Sequence, residues 1–395
     1  MSSKNKTTPT KGEARPAPVP KLRFPEFREG QAWRFTSLDS VCEILNNRRR
    51  PITANERTPG PYPYYGASGV VDYVGNFIFD ERLLLVGEDG AKWGAFEKTA
   101  FIADGKYWVN NHAHVLKPFA ANDTLLENYL TMQDLSPFVT GAAPPKLTLG
   151  KLKGIPIPLP AKAAEQQKIA ECLSSVDELI AAHARKGNVL KTLKRGLMQQ
   201  LFPREGETQP RLRFLEFRNT GEWAVRTLED ISPLQRGFDL PSQVIRPGLV
   251  PIVYSNGSKG FHAEGMAVGP GLVTGRSGTI GKLHFIESGS YWPHNTSLWV
   301  TSFKGHIPKF AYYLFDSIGF LRFASGSGVP TLNRNDAHSF ETSVPPSPPE
   351  QQRIASCLSS LDALISAQTQ KHEALKIHKR GLMQQLFPSP EEAEA

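Results

Sequence analysis

Side chains that read the edge of a nucleic-acid base offer paired donors and acceptors, arginine or lysine for guanine and asparagine or glutamine for adenine. Contacts to phosphate need basic or hydroxyl side chains, often beside glycines that let the backbone approach closely. The chain of 395 residues carries such residues in two separate series. The first runs from Arg48, Arg49 and Arg50 through Tyr65 and Ser68 to Glu88, Lys92 and Trp93, with Lys106, Tyr107, Asn111, His112 and Lys146 as further candidates. The second comprises Arg236, then Ser255, Asn256 and Lys259, then Arg276, Ser277, Thr279 and Lys282, with His294, Asn295, Asn333, Arg334 and Asn335 beside them. Each feature has a plainer alternative. A run of three arginines is also what a solvated face looks like, the glycine-rich stretches are also tight turns without a ligand, and Asn333–Asn335 also reads as a polar turn. The equivalent placement of the glycine-rich stretches, with different side chains on them, favours contact.

Chemistry of other kinds finds less support. Asp80, Glu88, Asp89 and Lys92 approach a metal-dependent nuclease pattern, but position 90, two before Lys92, is glycine rather than an acid. The stretch Gly275–Leu283 fails as a phosphate-binding loop because Arg276 stands where glycine is needed and Leu283 replaces Ser or Thr. No Asn- or Asp-Pro-Pro-aromatic motif for methylating a base nitrogen is present, since the pairs Pro144–Pro145 and Pro345–Pro346 have the wrong neighbours. His112 and His114 alternate as strand residues do, so one should face the core, and neither has partners spaced for a metal. Cys42, Cys172 and Cys357 lie far apart and read as reduced core thiols. The expectation is a chain with no catalytic residues, no metal and no cofactor of its own. Forty-six Lys and Arg against 38 Asp and Glu give a net charge of +8, which by itself is weak support for a polyanionic partner. No apolar stretch approaches the ~20 residues of a membrane span, and Met1–Pro20 is polar, basic and proline-rich without a signal-peptide core. A cytoplasmic protein with no membrane partner is expected.

The elements that must position these residues are duplicated. Lys194–Pro203 and Lys379–Pro388 both read KRGLMQQLFP, and EQQKIAECLSSVDELI from Glu165 matches EQQRIASCLSSLDALI from Glu350 at 12 of 16 positions with the same offset of 185. The openings KLRFPEF from Lys21 and RLRFLEF from Arg211 repeat as well, as do Trp33 and Leu38 in Trp223 and Leu228. Between these anchors the halves diverge, yet LLVGEDGAKWG still answers LVTGRSGTIG, and FVTGAAPPKLTLGKL answers FASGSGVPTLNRNDA. Short apolar runs at Phe77–Phe79, Leu83–Val86, Leu272–Thr274 and Ser297–Thr301, punctuated by Gly, Asn and Pro, predict strands. Helices are expected near Leu125–Leu135 and Pro308–Phe323.

The segment after each domain differs in kind. Proline-rich stops at 155–160 and 344–349 precede a long helix with Glu165 or Glu350 in its first turn. A heptad reading puts Ile169, Val176, His183, Leu190 and Leu197 at one seam position and Cys172, Leu179 and Leu193 at the other, and Ile354, Leu361, Leu375 and Leu382 continue it in the second helix. An ordinary amphipathic helix packed on its own domain is the alternative, although a helix of about 37 residues would be ~55 Å long, more than one domain needs. Acidic residues near the start of the first helix and basic residues near the end of both favour antiparallel pairing, as do the helix dipoles.

With these motifs in view, the chain resembles the specificity subunit of Type I restriction-modification enzymes. The residues that carry the resemblance are the EQQ-x-IA-x-CLSS-x-D-x-LI helix starts, the KRGLMQQLFP helix ends, the (K/R)LRF-x-EF openings and YYGASGVVDYV…LLLVGEDGAKWG in the first half. The resemblance implies an α+β fold in which two β-rich target-recognition domains are separated by an antiparallel two-helix coiled coil with a pseudo-twofold internal repeat. Expected boundaries are a disordered extension at 1–20, the first recognition domain at 21–160, a spacer helix at 161–203, the second domain at 204–345, a second spacer helix at 346–388 and an acidic tail at 389–395. It implies that each domain reads one half of a split, asymmetric double-stranded DNA target while the helices set the gap. Partners would be two methyltransferase subunits and restriction subunits, which bind S-adenosylmethionine, ATP and Mg. Because two copies of one partner need two equivalent docks, the helix faces carrying Leu179, Leu190 and Leu197 and their counterparts Leu364, Leu375 and Leu382 are the candidate docking residues. A scaffold that has lost DNA specificity and a self-contained nuclease are the competing readings.

Overall fold

The computed structural model describes residues 19–326 and 329–388. The expected disordered extension, but for Val19 and Pro20, and the acidic tail lie outside the described residues. Contacts divide the chain into two compact units, one running up to His183 and resuming at Gln370, the other spanning Ala184–Thr369. Each unit therefore holds one β-rich domain, the nearer half of one long helix and the nearer half of the other.

In the first unit a fully antiparallel sheet takes the order Cys42–Ile44, Ala113–Pro118, Leu83–Gly87, Ala100–Ala103. All five residues of Leu83–Gly87 are buried. Such a strand is covered on both faces, so its sequence is a continuous apolar run rather than an alternating one. A second sheet has the order Gly69–Val74, Pro59–Gly66, Lys106–Val109, Phe79–Asp80, with Pro59–Gly66 and Lys106–Val109 parallel. The expected strand at Phe77–Phe79 is thus confined to its last residue and Asp80. The helix Asp123–Met132 is capped by Asn122, whose side chain accepts from the Leu125 N–H, and it buries Leu125, Leu126, Tyr129 and Leu130.

The second unit repeats this topology: Leu234–Arg236, Ser297–Val300, Gly271–Gly275, Leu283–Ile286 in one sheet, and Gly257–His262, Val250–Tyr254, Ser290–Pro293, Ala267–Val268 in the other. The parallel pair recurs between Val250–Tyr254 and Ser290–Pro293. Its helix is Pro308–Ile318, stopped at Gly319 with φ 76°, after which a short 3-10 turn covers Phe320–Phe323.

The first proline-rich stop is a strand, whereas the second follows one, sharing only Val344 with it and giving Pro348 and Pro349 to the long helix. Pro156–Leu159 pairs antiparallel with Arg34–Ser37, and Glu341–Val344 pairs with Ala224–Thr227. Each is a two-stranded ribbon, and proline is tolerated in Pro156–Leu159 because such a strand has an unpaired edge. The ribbon brings the end of each domain back to its start, where the long helix departs.

That departure is fixed identically in both halves. Arg23 clamps Glu165 through Nε and Nη2 at 2.7 Å each, and Trp33 Nε1 donates to the same carboxylate at 3.2 Å. In the second unit Arg213 and Trp223 hold Glu350 at 2.7 and 3.1 Å. The next residue ties the helix to the domain: Gln166 Oε1 accepts from the Asn122 N–H and Gln351 Oε1 from the Ile307 N–H, both at 2.9 Å. The repeated (K/R)LRF, Trp and EQQ motifs are therefore one joint. Both glutamates are almost fully buried, at 1% exposure. Removing either partner of such a bidentate pair would leave a buried charge unmatched.

The long helices cover Ala163–Leu201 and Pro348–Leu386. Burial follows a regular 4-3 spacing. Ile169, Leu173 and Val176 are buried and Ile180 and His183 half-buried in the first unit, and Leu190, Lys194 and Leu197 are half-buried and Leu201 buried in the second. The positions 185 residues later repeat it, with Ile354, Leu358 and Leu361 buried, then Leu375 and Leu382 half-buried and Leu386 buried. This corrects the heptad reading by one residue. The second seam position is Leu173, Ile180 and Lys194, not Cys172, Leu179 and Leu193; Leu179 and Leu193 are 50% and 48% exposed. Lysine at a seam position hid the pattern. Its aliphatic stem fills the seam while the ammonium reaches out to a carboxylate. Lys194 pairs with Asp362 at 2.7 Å in the second unit, and Lys379 with Asp177 at 2.8 Å in the first. In the second unit Gly187 also lies beside Gln368, so the helix segments there run antiparallel. In the first, Ile169 and Leu173 share a core with Met383, Leu386 and Phe387, which together with the Asp177–Lys379 pair gives the same direction.

Candidate nucleic-acid interface

In both domains the buried central strand runs into a Gly-x-x-Gly loop, Gly87–Gly90 in the first and Gly275–Gly278 in the second. The chain turns back so tightly that a Cβ on Gly87 would lie 2.4 Å from the Ala91 Cβ, and one on Gly275 only 1.8 Å from the Thr279 carbonyl oxygen. Gly90 and Gly278 take φ of 71° and 80°, which side chains rarely adopt. The loops are pinned by matching backbone bonds. Glu88 N–H donates to the His112 carbonyl and Leu147 N–H to the Glu88 carbonyl, both at 2.8 Å. Arg276 N–H donates to the Thr296 carbonyl at 2.9 Å and Leu332 N–H to the Arg276 carbonyl at 2.8 Å. Single bridges join Asp89 to Lys146 and Ser277 to Thr331. These bonds define equivalent seats: Glu88 with Arg276, Asp89 with Ser277, His112 with Thr296 and Lys146 with Thr331.

The side chains on those seats form different chemistry. In the first domain Arg49 Nη1 donates to Glu88 Oε2 at 2.7 Å and to the carbonyls of Ala113 and Asn111 at 2.8 and 3.3 Å. Lys146 Nζ lies 2.9 Å from Asp89 Oδ2, and His112 Nδ1 bonds Asp89 Oδ1. Burial alone would push the Asp89 carboxyl up, but Lys146 and His112 more than offset it and hold it below the usual carboxylate range. Behind this network His114 is buried, as the alternation predicts for one of the two histidines. Asn46 Oδ1 accepts from the Val115 N–H, which orients its amide so that Nδ2 donates to His114 Nδ1, while His114 Nε2 faces the Leu147 carbonyl at 2.7 Å. The imidazole is thus satisfied as the neutral Nε2–H tautomer, and burial lowers its pKa.

Of the first series, Arg49, Glu88, Asn111, His112 and Lys146 are brought together. The arginine run is split: Arg48 pairs with Glu81 at 2.7 Å and stacks over Phe79, and Arg50 is exposed. Ser68 and Lys92 are exposed, and Lys106 lies over the Phe77 ring. Tyr65 is half-buried between Phe101 and Tyr107. Two expectations are corrected. Tyr107 is fully buried, stacked on Phe79, and Trp93 is 8% exposed with Nε1 donating to the Gly87 carbonyl, so both belong to the core and cannot touch DNA.

In the second domain Arg236 pairs with Asp239 at 2.7 Å, and Asn295 Nδ2 bonds the same carboxylate. His294 packs on the Tyr254 ring, with Nδ1 3.1 Å from Thr296 Oγ1, and burial lowers its pKa. Asn256, Lys259 and Lys282 are exposed, and Ser277 and Thr279 half-buried. Ser255 is corrected to a buried position whose carbonyl faces His284 Nε2. Asn333 is exposed and caps a short helix, its side-chain oxygen accepting from the Asn335 N–H. Arg334 and Asn335 line a cleft of about 440 Å³ with Gln235, Thr301 and His338. Asn46, Asp239, Thr296 and Thr331, which the sequence did not single out, complete these networks; the matched GEDG and GRSG stretches were the signal that their neighbours occupy equivalent seats.

Among the docking candidates, Leu179 and Leu364 are exposed, at 50% and 51%. Leu190, Leu197, Leu375 and Leu382 are half-buried at the seam, with Leu197 and Leu382 packed against their units' cores, and so present less surface than Leu179 and Leu364.

A family model for the Type I restriction modification DNA specificity domain matches residues 31–192 and 220–376. The chain belongs to that family. A putative Type I restriction enzyme specificity subunit of Haemophilus influenzae is 27% identical over 361 residues, covering 87% of this chain and 91% of the relative. A Type I specificity subunit of Methanocaldococcus jannaschii is 23% identical over 234 residues, 55% of this chain and 52% of its own length. Among solved structures, the S subunit of a Type I system from M. genitalium superposes with a TM-score of 0.67 at 18% identity, covering 94% of this chain and 99% of that one. Membership assigns a specificity subunit, a non-catalytic role that carries no cofactor of its own and works within a complex. Among the described residues no helix is long and apolar enough to cross a membrane.

Proposed function

We propose that this chain reads a bipartite, asymmetric double-stranded DNA target, one half-site per domain, as the specificity subunit of a Type I restriction-modification complex. The observation that carries this reading is the pair of Gly-x-x-Gly loops, which keep one backbone and change its chemistry from Glu88–Asp89 to Arg276–Ser277. A scaffold without specificity has no reason to hold the frame and vary the face. Further contacts would come from Arg50, Ser68 and Lys92 in the first domain and from Arg236, Asn256, Lys259 and Lys282 in the second, all exposed. The paired helices set the number of base pairs between half-sites. Two methyltransferase subunits dock on the equivalent faces marked by Leu179 and Leu364, and restriction subunits join them. Those partners supply S-adenosylmethionine, ATP and Mg together with adenine methylation and ATP-dependent cleavage.

The test is the methylation pattern of DNA in cells expressing this chain with its methyltransferase partner, mapped at single-base resolution. Methylated adenines in two short, unlike half-sites at a fixed gap are expected. A single contiguous motif, or methylation that does not depend on this chain, would overturn the reading.

A further inference from the structure

We propose that Arg276 reads a guanine in the half-site bound by the second domain, and that the matching seat in the first domain, Glu88, reads a base amino group instead. This rests on the DNA-reading role proposed above. Arg276 projects from a loop whose backbone is fixed on both sides, its N–H donating to the Thr296 carbonyl and its carbonyl accepting from the Leu332 N–H. Its guanidinium makes one long contact among the described residues, Nη1 to the Asn295 carbonyl at 3.5 Å. A guanidinium carries five donors in a planar fork, so most of this one's donors have no partner among the described residues. Gly278, two residues on, is exposed, and among the described residues only the Ser255 hydroxyl lies within 4 Å of where its Cβ would stand, so a large ligand can come close on that side.

The first domain shows why this is a reading seat and not a phosphate seat. Glu88 has the same backbone bonds as Arg276 and the opposite charge. A seat that met a phosphate in both half-sites could not hold a carboxylate in one of them. A seat that meets a base edge can hold either, because arginine forks onto guanine O6 and N7 while a carboxylate accepts from a cytosine N4 or adenine N6 amino group. Arg49, paired with Glu88 at 2.7 Å, and Lys146, paired with Asp89 at 2.9 Å, offset the repulsion that two acids would meet near DNA. Arg276 has no such carboxylate beside it among the described residues, and a cation near DNA needs none.

The experiment uses the full chain with its methyltransferase partner and compares wild type with Arg276→Ala and Arg276→Gln by methylation mapping. Loss of the requirement for one guanine in one half-site is expected, with discrimination there falling roughly 5- to 150-fold, and the other half-site unchanged. In parallel, wild-type complex is titrated with duplexes in which each guanine in turn is replaced by 7-deazaguanine, which removes N7; one position should weaken binding by wild type and leave the variants unaffected. A variant motif identical to wild type, uniform weakening at every position, or indifference of wild type to every 7-deazaguanine overturns the assignment of Arg276. Those outcomes leave split recognition standing if wild type still methylates a two-part motif. Failure of wild type to give any chain-dependent two-part motif overturns both.

Discussion

At the scale of single residues, the loops of the first domain rest on histidine chemistry that depends on pH. His114 is buried as the neutral tautomer, and burial depresses its pKa below the ordinary 6.5. A depressed folded pKa means that its contribution to stability is fully present above the unfolded value and is lost as pH falls through about 6.5 toward the folded value. The first domain should therefore unfold at lower denaturant concentration at pH 5 than at pH 7.5, and His114→Asn should flatten that part of the profile; a variant with the wild-type slope would show that another group governs it. The alternation in NHAHVL made one inward histidine legible. Which one it was, and that Arg48, Arg49 and Arg50 would part company to Glu81, to Glu88 and to solvent, depended on partners more than 30 residues away, which no local pattern reveals.

At the scale of elements, the repeats were legible and the side-chain phase was not. The long helices end within two residues of their expected bounds, because proline-rich leads and an acidic first turn are local signals. The seam was misread by one residue because Gly187 and Lys194 occupy core-facing positions where an apolar residue is expected, leaving Leu193 as the better-looking candidate. This difference has a measurable consequence. Leu173→Ala removes a fully buried side chain and should cost about 2–5 kcal/mol of stability. Leu179→Ala, half exposed, should change stability by no more than about 0.5 kcal/mol yet weaken capture of the methyltransferase partner. Chemical denaturation separates the first pair of outcomes, and co-purification tests the second; equal denaturation midpoints for the two variants would contradict the seam assigned here.

At the scale of the whole molecule, the length of the paired helices is the proposed ruler. A seven-residue insertion after Gly187, matched by one after Gln368, keeps the heptad phase and adds about 10.5 Å of helix. The recognised gap should lengthen by up to about three base pairs, at ~3.4 Å each, with both half-sites unchanged; methylation mapping that returned the original gap would exclude a ruler. The joints that hold each helix to its domain, Arg23–Glu165 and Arg213–Glu350, stay outside the inserted segments. One further feature bears on how the protein is made. The core of the first unit is closed by Met383, Leu386 and Phe387, with Phe387 packed against Trp33 and Tyr129. Those residues are synthesised after the whole of the second domain, so the first domain is completed only once the second has been made. Throughout translation of the second half, the nascent first domain must wait with that apolar face uncovered, the stage at which it is open to aggregation or to chaperone capture.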